Sequence, residues 1–271
     1  MARGWRRDLP PRGATGRDVT AGRRTTRALL LALPWLALGL LAGAAEIRPT
    51  RDYLSPELRR AQDDPSRHPG WLWVEEGEAL WQDGERSCQS CHGGIGAMAG
   101  VAARYPAVAV DGALLNLEGR IERCRTQQQG QPAFGYESEP LLALTAAIAL
   151  RSRGMLVDVD TEGPAAPFMG EGRRFYETRQ GQLNLACGQC HDDKAGQHLR
   201  GDVISNGLGT GYPAYRLDWN TLGSLHRRLR ACSLGVRAEQ LPLGSAEYLA
   251  LELFLASRAK GQPIEAPGLR R

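Results

Sequence analysis

Two copies of a short cysteine–histidine motif constrain this chain more than any other feature. The first copy is Cys88-Gln89-Ser90-Cys91-His92, and the second, 99 residues further on, is Cys187-Gly188-Gln189-Cys190-His191. The C-x-x-C-H spacing is typical of c-type haem attachment. A structural zinc site would need four ligands, and a thioredoxin-like pair needs no histidine after its second cysteine. The motifs therefore predict two covalently bound c-type haems.

Each motif also predicts which atoms hold its haem. The thiols of Cys88 and Cys91 in the first motif, and of Cys187 and Cys190 in the second, are expected to bind the haem covalently. The histidine that follows is expected to be the proximal iron ligand, His92 in the first copy and His191 in the second.

The first 45 residues have the pattern of an export signal. Residues 1–27 carry eight arginines and two aspartates, and the apolar run 28–45 ends in small residues, with Ala42-Gly43-Ala44 as a cleavage candidate. The alternative is a retained membrane anchor, but the run is barely long enough to span a bilayer and contains Pro34. We expect residues 1–45 to be a cleaved signal peptide and the mature protein to be periplasmic, with no membrane anchor.

Removal of that segment changes the charge of the chain. The whole chain has 34 Lys and Arg against 30 Asp and Glu, a net charge of +4. Residues 46–271 have 26 and 28, a net charge of −2. The apparent basicity belongs to the signal segment and gives no reason to expect a nucleic-acid partner.

The two haem motifs lie within a longer repeat. Glu76-Gly77-x-x-Leu80-Trp81 precedes the first motif, and Glu171-Gly172-x-x-Phe175-Tyr176 precedes the second. After each motif comes a lone cysteine with an arginine four residues before it. Residues 138–154 then match residues 245–261 without insertion. A repeat of this kind indicates an internal duplication.

The repeated segments predict helices. Apolar spacing favours helices over Glu75–Trp81, Gly170–Tyr176, Leu141–Arg153 and Ala246–Lys260. Strand signals are sparse, and Met155–Phe168 has the glycine and proline content of a linker. We therefore predict an all-α fold of two tandem cytochrome c-like domains related by duplication, with little regular strand. The expected boundaries are 46–160 for the first domain and 161–271 for the second.

The ligand on the other side of each iron determines what that haem can do. In the first half Met155 is a tenable candidate, but no methionine follows Met169 in the second half. The remaining candidates there are His198, His226, Cys232 and lysines such as Lys194.

Only a cysteine is available in both halves. Cys124 lies 32 residues after His92, and Cys232 lies 41 residues after His191. Two alternatives remain open, a Cys124–Cys232 disulfide and a pair of free thiols. We favour thiolate ligation of both irons, which stabilises ferric iron and lowers the reduction potential.

The cysteine of the second half follows a cluster of arginines. In a helix Arg228 and Cys232 share one face, where a guanidinium can bind an oxyanion beside the sulfur. Arg227 and Arg230 are better explained by solvent or haem propionates. The first half has Arg120 but places Glu122 before its cysteine. We therefore expect the second half to catalyse and the first to relay electrons or to be structural.

These motifs resemble the SoxA family, the dihaem cytochrome c subunits of the SoxAX complexes of bacterial sulfur oxidation. The most specific segments are Gly211-Tyr212-Pro213-Ala214-Tyr215-Arg216-Leu217-x-Trp219 and Leu225-His226-Arg227-Arg228-Leu229-Arg230-Ala231-Cys232. The resemblance implies thiolate ligation by Cys124 and Cys232. It also implies that Cys232 is the catalytic residue, able to carry a persulfide, and that Arg228 binds the substrate.

The resemblance also implies an activity and its partners. The expected enzyme is an L-cysteine S-thiosulfotransferase, which couples thiosulfate oxidatively to a cysteine of the SoxYZ carrier protein. A SoxX subunit is the expected partner in a heterodimer, and a cytochrome c is the expected electron acceptor. The competing hypothesis is a dihaem cytochrome that only transfers electrons.

Overall fold

The computed structural model describes residues 46–199 and 201–271, so the predicted signal peptide lies outside the described residues. Helices are the main regular structure of the described chain. Their bounds are α1 Pro56–Asp63, α2 Trp71–Gln82, α3 Cys88–His92, α4 Leu117–Gln127, α5 Glu139–Leu150, α6 Ala166–Glu177, α7 Cys187–His191, α8 Leu225–Gly235 and α9 Ala246–Arg258. Short 3-10 turns lie at Thr50–Tyr53, Ile95–Met98, Ala102–Arg104 and Gly163–Ala165.

The strands are only two or three residues long. They are β1 Ala107–Val108, β2 Leu114–Leu115, β3 His198–Leu199, β4 Asp202–Val203, β5 Ala214–Arg216, β6 Thr221–Gly223 and β7 Gly268–Arg270. Two antiparallel pairs join β1 to β2 and β3 to β4. The third sheet has the order β6-β5-β7, with β7 parallel to β5.

Two closely packed helix pairs form the framework. α2 packs against α5 where Gly77 meets the backbone of Ala143, and α6 packs against α9 where Gly172 meets the backbone of Ala250. A side chain at either glycine would separate its pair. The repeated Glu-Gly dipeptide therefore marks the two points of closest approach.

The two halves present their elements in the same order. Each has a packed helix (α2 or α6), a haem-motif helix (α3 or α7), a small hairpin (β1–β2 or β5–β6), and then two further helices. The second half adds the hairpin β3–β4 and the C-terminal strand β7.

The hydrophobic core is shared between the halves. One cluster combines Trp81 and Leu141 from the first half with Leu253 and Ile264 from the second. In another cluster, Leu222 and its neighbours in the three-stranded sheet pack against α1, α2 and α5 of the first half. The two predicted domains therefore lie in one compact unit of the described chain.

The segment predicted as a linker is held firmly. The Val157 backbone N–H donates to the Gln262 carbonyl at 2.9 Å, and the Val157 carbonyl accepts from the Gly261 N–H at 3.0 Å. Both Val157 and Val159 are buried. Helix α6 also begins at Ala166, inside the predicted linker. The segment joins the halves but is part of the core, because its valines supply apolar surface that glycine and proline content alone does not reveal.

The mainly helical prediction is confirmed. All four predicted helices are present, although α5 ends three residues before the predicted Arg153 and α9 ends two residues before the predicted Lys260. The three-stranded sheet was not predicted. Its strands are too short for an alternating pattern, and β7 pairs with a strand far away in the sequence.

Candidate functional site

The second haem motif places its histidine in a fixed orientation. α7 ends at His191, whose Nδ1 lies 2.7 Å from the carbonyl oxygen of Ser205. A carbonyl only accepts, so Nδ1 carries the proton and Nε2 is left with a lone pair. A β-carbon on Gly207 would be 2.8 Å from the His191 ring, so this loop also presses on the imidazole. Metal-binding histidines are commonly oriented in this way.

Cys232 faces that histidine. It lies in α8, which begins where the Ser224 hydroxyl accepts a hydrogen bond from the Arg227 backbone N–H at 3.1 Å. The half-buried thiol lines the same cavity as His191, and the two side chains are close enough for each to shift the pKa of the other. The structure therefore brings together two side chains that the sequence assigns to one iron.

The charges around Cys232 favour its thiolate. Desolvation is the largest single influence and raises the pKa of Cys232. The interaction with His191 and the positive charges of Arg228 and Arg216 outweigh it and lower that pKa to about 7. The negative sulfur in turn raises the pKa of Arg228. The predicted helical pairing of Arg228 with Cys232 is present in the structure, with the two residues one turn apart.

These groups line a cavity of about 490 Å³. The polar lining includes His191, Arg228 and Cys232, together with the attachment cysteine Cys187. The apolar lining includes Leu208, Leu225, Leu229, Leu251 and Leu255 with the ring of Tyr176. A cavity of this size, with apolar walls, the attachment cysteine Cys187 in its lining and a His/Cys donor pair, fits a covalent haem.

A polar network holds the second haem-motif helix, α7, in place. Asp192, the residue after His191, accepts a hydrogen bond from the Tyr176 hydroxyl at 3.0 Å and pairs with Arg258. These contacts tie α7 to α6 and α9. Sequence reasoning missed this network because its three members come from separate parts of the repeat.

The first haem motif is more open. The Trp81 indole N–H donates to the Gly93 carbonyl at 3.0 Å, and its ring lies 5.9 Å from the ring of His92. His92 and Cys91 are exposed. Cys124 in α4 is close enough to Cys88 for its charge to raise the pKa of Cys88, although burial of Cys88 is the larger cause. The structure thus places Cys124 beside its own haem motif.

The other candidate ligands are less well placed. His226 is buried against Glu252, with its Nε2 2.9 Å from the carboxylate, and its ring stacks on Tyr136. Lys194 is exposed, and the exposed His198 lies at the cavity wall. No disulfide joins Cys124 to Cys232 in this structure.

Comparison with known proteins identifies the family. The model for "SoxA/TsdA, cytochrome c domain" matches residues 76–157 and 171–264, which contain both haem motifs. This chain belongs to the SoxA/TsdA cytochrome c family. The resemblance stated from the sequence is confirmed, and membership implies covalently bound haem.

The most similar relatives include two proteins named L-cysteine S-thiosulfotransferase subunit SoxA. The protein from Rhodovulum sulfidophilum is 36% identical, over 83% of this chain and 80% of its own length. The protein from Paracoccus pantotrophus is 37% identical, over 81% of this chain and 77% of its own length. The predicted enzyme class, a transferase, is confirmed by these names.

A solved structure shares the fold of this SoxA/TsdA family member. It is "Crystal structure of SoxXA from P. pantotrophus", with a TM-score of 0.80 and 35% identity, covering 83% of this chain and 87% of the other. Between residues 46 and 271, leaving aside position 200, no helix is both long enough and apolar enough to cross a membrane.

Proposed function

We propose that this chain is the SoxA-type subunit that couples thiosulfate oxidatively to a cysteine of a SoxYZ-type carrier protein. The single observation that carries the proposal is the position of Arg228. Arg228 and Cys232 lie one helical turn apart in α8, and both line the same cavity as His191. A purely electron-transferring cytochrome has no need of an oxyanion-binding cation at an iron ligand.

The proposal assigns a set of groups to each of two haems. Cys187 and Cys190 attach the second haem, whose iron takes His191 and Cys232. The fit of the His191–Cys232 pair to a haem-sized cavity supports this assignment.

The first haem is assigned by the repeat. Cys88 and Cys91 attach it, and its iron takes His92 and Cys124. The proximity of Cys124 to Cys88 supports this assignment. When bound, a haem supplies an iron that accepts and passes on single electrons.

The residues of the second site have separate roles in the proposed reaction. Arg228 binds the sulfonate end of thiosulfate through paired, charge-assisted hydrogen bonds. This orients the outer sulfur toward Cys232 and the incoming carrier cysteine. Formation of the S–S bond between the carrier sulfur and thiosulfate releases one proton from the carrier thiol and two electrons. A cytochrome c is the proposed final acceptor of the electrons.

The proposal includes an internal duplication, with domain boundaries at 46–160 and 161–271. Backbone conformation supports it. Positive φ angles at Gly100, Gly130, Glu137 and Gly154 recur 107 residues later at Gly207, Arg237, Gly244 and Gly261. Left-handed backbone is uncommon outside glycine, so four recurrences at one offset favour a common ancestor for the halves.

The proposal also includes a partner and a location. The similar structure is named as a SoxXA complex, which supports a heterodimer with a SoxX-type subunit. The apolar segment after an arginine-rich start supports export to the periplasm. The SoxYZ-type carrier and the acceptor cytochrome c would be in the same compartment.

Replacement of Cys232 tests the proposal. Turnover would be followed as reduction of acceptor cytochrome c by the holoprotein with its SoxX-type partner, SoxYZ-type carrier and thiosulfate. Cys232→Ala is expected to abolish coupling while intact mass still shows two haems. Ser233→Ala, which removes only a hydroxyl 3.5 Å from that of Tyr248, is the matched control and should retain turnover. Wild-type turnover in Cys232→Ala would exclude Cys232 as the catalytic residue. Absence of thiosulfate-dependent turnover in the wild-type protein itself would favour the electron-transfer alternative.

A further inference from the structure

The guanidinium of Arg216 is buried without a carboxylate partner among the described residues. Arg216 is 7% exposed, and its Nε has no hydrogen-bond partner. Within the described part of the chain its side chain forms no ion pair or hydrogen bond, and its guanidinium carbon lies 5.2 Å from the centre of the Trp219 ring. Burial of an unpaired charge is strongly unfavourable. The charge of the Cys232 sulfur is near enough to interact with that of Arg216, but the sulfur makes no hydrogen bond with the guanidinium. The unused donors of Arg216 therefore indicate an oxyanion that the protein alone does not supply.

Arg270 provides an internal comparison. It is the residue directly opposite Arg216 across the parallel strands β5 and β7, and it lines the same cavity. Arg270 is also buried, but its guanidinium pairs with Glu265 at 2.6 Å and donates to Gln62. The same sheet face therefore carries one neutralised arginine and one that is free.

The sheet aims the free arginine into the candidate site. Tyr215 and its strand partner Leu269 point into the hydrophobic core on one face of the sheet. Because successive strand residues point to opposite faces, Arg216 points the other way, into the cavity that contains Cys232 and Arg228. We propose that Arg216 binds an anionic oxygen group, a carboxylate or a sulfonate, in this cavity.

Two sources supply that chemistry. One is a propionate carboxylate of the haem attached at Cys187 and Cys190, and the other is the sulfonate of thiosulfate, which rests on the proposed function. In the first case Arg216 sets the charge around the haem. In the second case Arg216 and Arg228 together form a two-guanidinium substrate site.

Substitution of Arg216 in the holoprotein distinguishes the two sources. Arg216→Gln would be compared with the matched control Arg227→Gln. The Arg227 guanidinium lies over the same Trp219 ring, at 4.4 Å, but it pairs with Glu137 at 3.6 Å and does not line the cavity. Two quantities would be measured: the reduction potential of the second haem without thiosulfate, and kcat and KM for thiosulfate with saturating carrier.

A lower potential with unchanged KM would assign the carboxylate, because loss of a nearby positive charge disfavours the reduced haem. A rise in KM of about 10–100-fold with unchanged potential would assign the sulfonate. Changes in both would place both anions within reach of Arg216. If neither quantity differs from the control, whether or not the wild type couples thiosulfate, the proposal is overturned.

The potential measurement does not depend on the proposed function, so failure of thiosulfate coupling in the wild type leaves this test intact. If Arg216→Gln does not assemble with haem, Arg216→Lys keeps the charge but loses the paired donors. Arg216→Lys should lower the reduction potential of the second haem or raise KM for thiosulfate, by less than the change predicted for Arg216→Gln. No shift in either quantity would overturn the proposal.

Discussion

Gly77 lies so close to Ala143 that a β-carbon at position 77 would be 2.1 Å from the Ala143 carbonyl oxygen. Gly172 has the same relationship with Ala250, also at 2.1 Å. A methyl group at either position must push its helix pair apart. We therefore expect Gly77→Ala and Gly172→Ala each to lower the free energy of unfolding by about 1–3 kcal/mol. Denaturant unfolding of holoprotein with matched haem content measures the change.

Gly235 supplies the control for that experiment. It is also helical, but a β-carbon there would meet nothing within 4 Å. Gly235→Ala should leave stability unchanged or raise it by up to about 1 kcal/mol, because alanine restricts the unfolded chain. If Gly77→Ala behaves like Gly235→Ala, close packing of α2 on α5 does not require the glycine.

Much of this fold follows from local sequence signals. The apolar spacing around Glu76-Gly77 and Glu171-Gly172 predicted α2 and α6, and the pairing of Arg228 with Cys232 assumed a helix, which α8 provides. The second haem motif and its lone cysteine identified Cys187, His191 and Cys232, which line the cavity. These features are carried by residues near one another in the chain, so periodicity and spacing can reveal them.

The features that escaped prediction depend on distant pairing. Arg216 lies in a three-residue strand whose parallel neighbour is the C-terminal segment 268–270, and no local pattern shows which face its side chain takes. The buried group formed by Glu118, His226 and Glu252 likewise joins three helices. In the sequence these polar residues resemble surface residues, because only tertiary packing removes them from water.

Glu118 should make stability depend on pH. Burial of Glu118, reinforced by the nearby Glu252 carboxylate, raises its pKa from 4.5 to about 7. Because the folded-state pKa exceeds the unfolded value, the contribution of protonated Glu118 is fully present below pH 4.5 and is lost as pH rises through about 7. Glu118→Gln should flatten this fall and be more stable than wild type at alkaline pH by up to about 3 kcal/mol. Denaturant unfolding at a series of pH values measures both effects.

Part of the slope should survive in that variant. Burial lowers the pKa of His226, but its contact with Glu252 outweighs burial and raises it, so this histidine also contributes stability that is lost as pH rises. The control is Glu177→Gln, an exposed carboxylate 3.9 Å from Arg173, which should leave the slope unchanged. Equal slopes in wild type and Glu118→Gln would refute the assignment of the titration to Glu118.

Cys124→Met should change the first haem without removing it. Under the proposed ligation, a neutral thioether replaces an anionic thiolate, which raises the reduction potential of that haem. Two haems should remain on the chain, because Cys88 and Cys91 still attach the first one. Potentiometric titration with electron paramagnetic resonance follows the two irons separately. Thr126→Ala, in the same helix, is the control, and an unchanged first-haem potential in Cys124→Met would exclude Cys124 as its ligand.

Arg228→Ala should reduce kcat/KM for thiosulfate by about 10–100-fold, the effect of losing a paired, charge-assisted contact. Arg228→Lys should recover only part of this loss, because an ammonium group keeps the charge but lacks the two parallel donors. The measurement is initial-rate kinetics at subsaturating thiosulfate, with haem content and unfolding stability checked for each variant. Arg227→Ala, on the same helix but paired with Glu137 away from the cavity, should retain the wild-type value. An equal loss of kcat/KM in Arg227→Ala and Arg228→Ala would show that α8 contributes only general positive charge. A loss confined to Arg228→Ala fits a substrate contact beside Cys232.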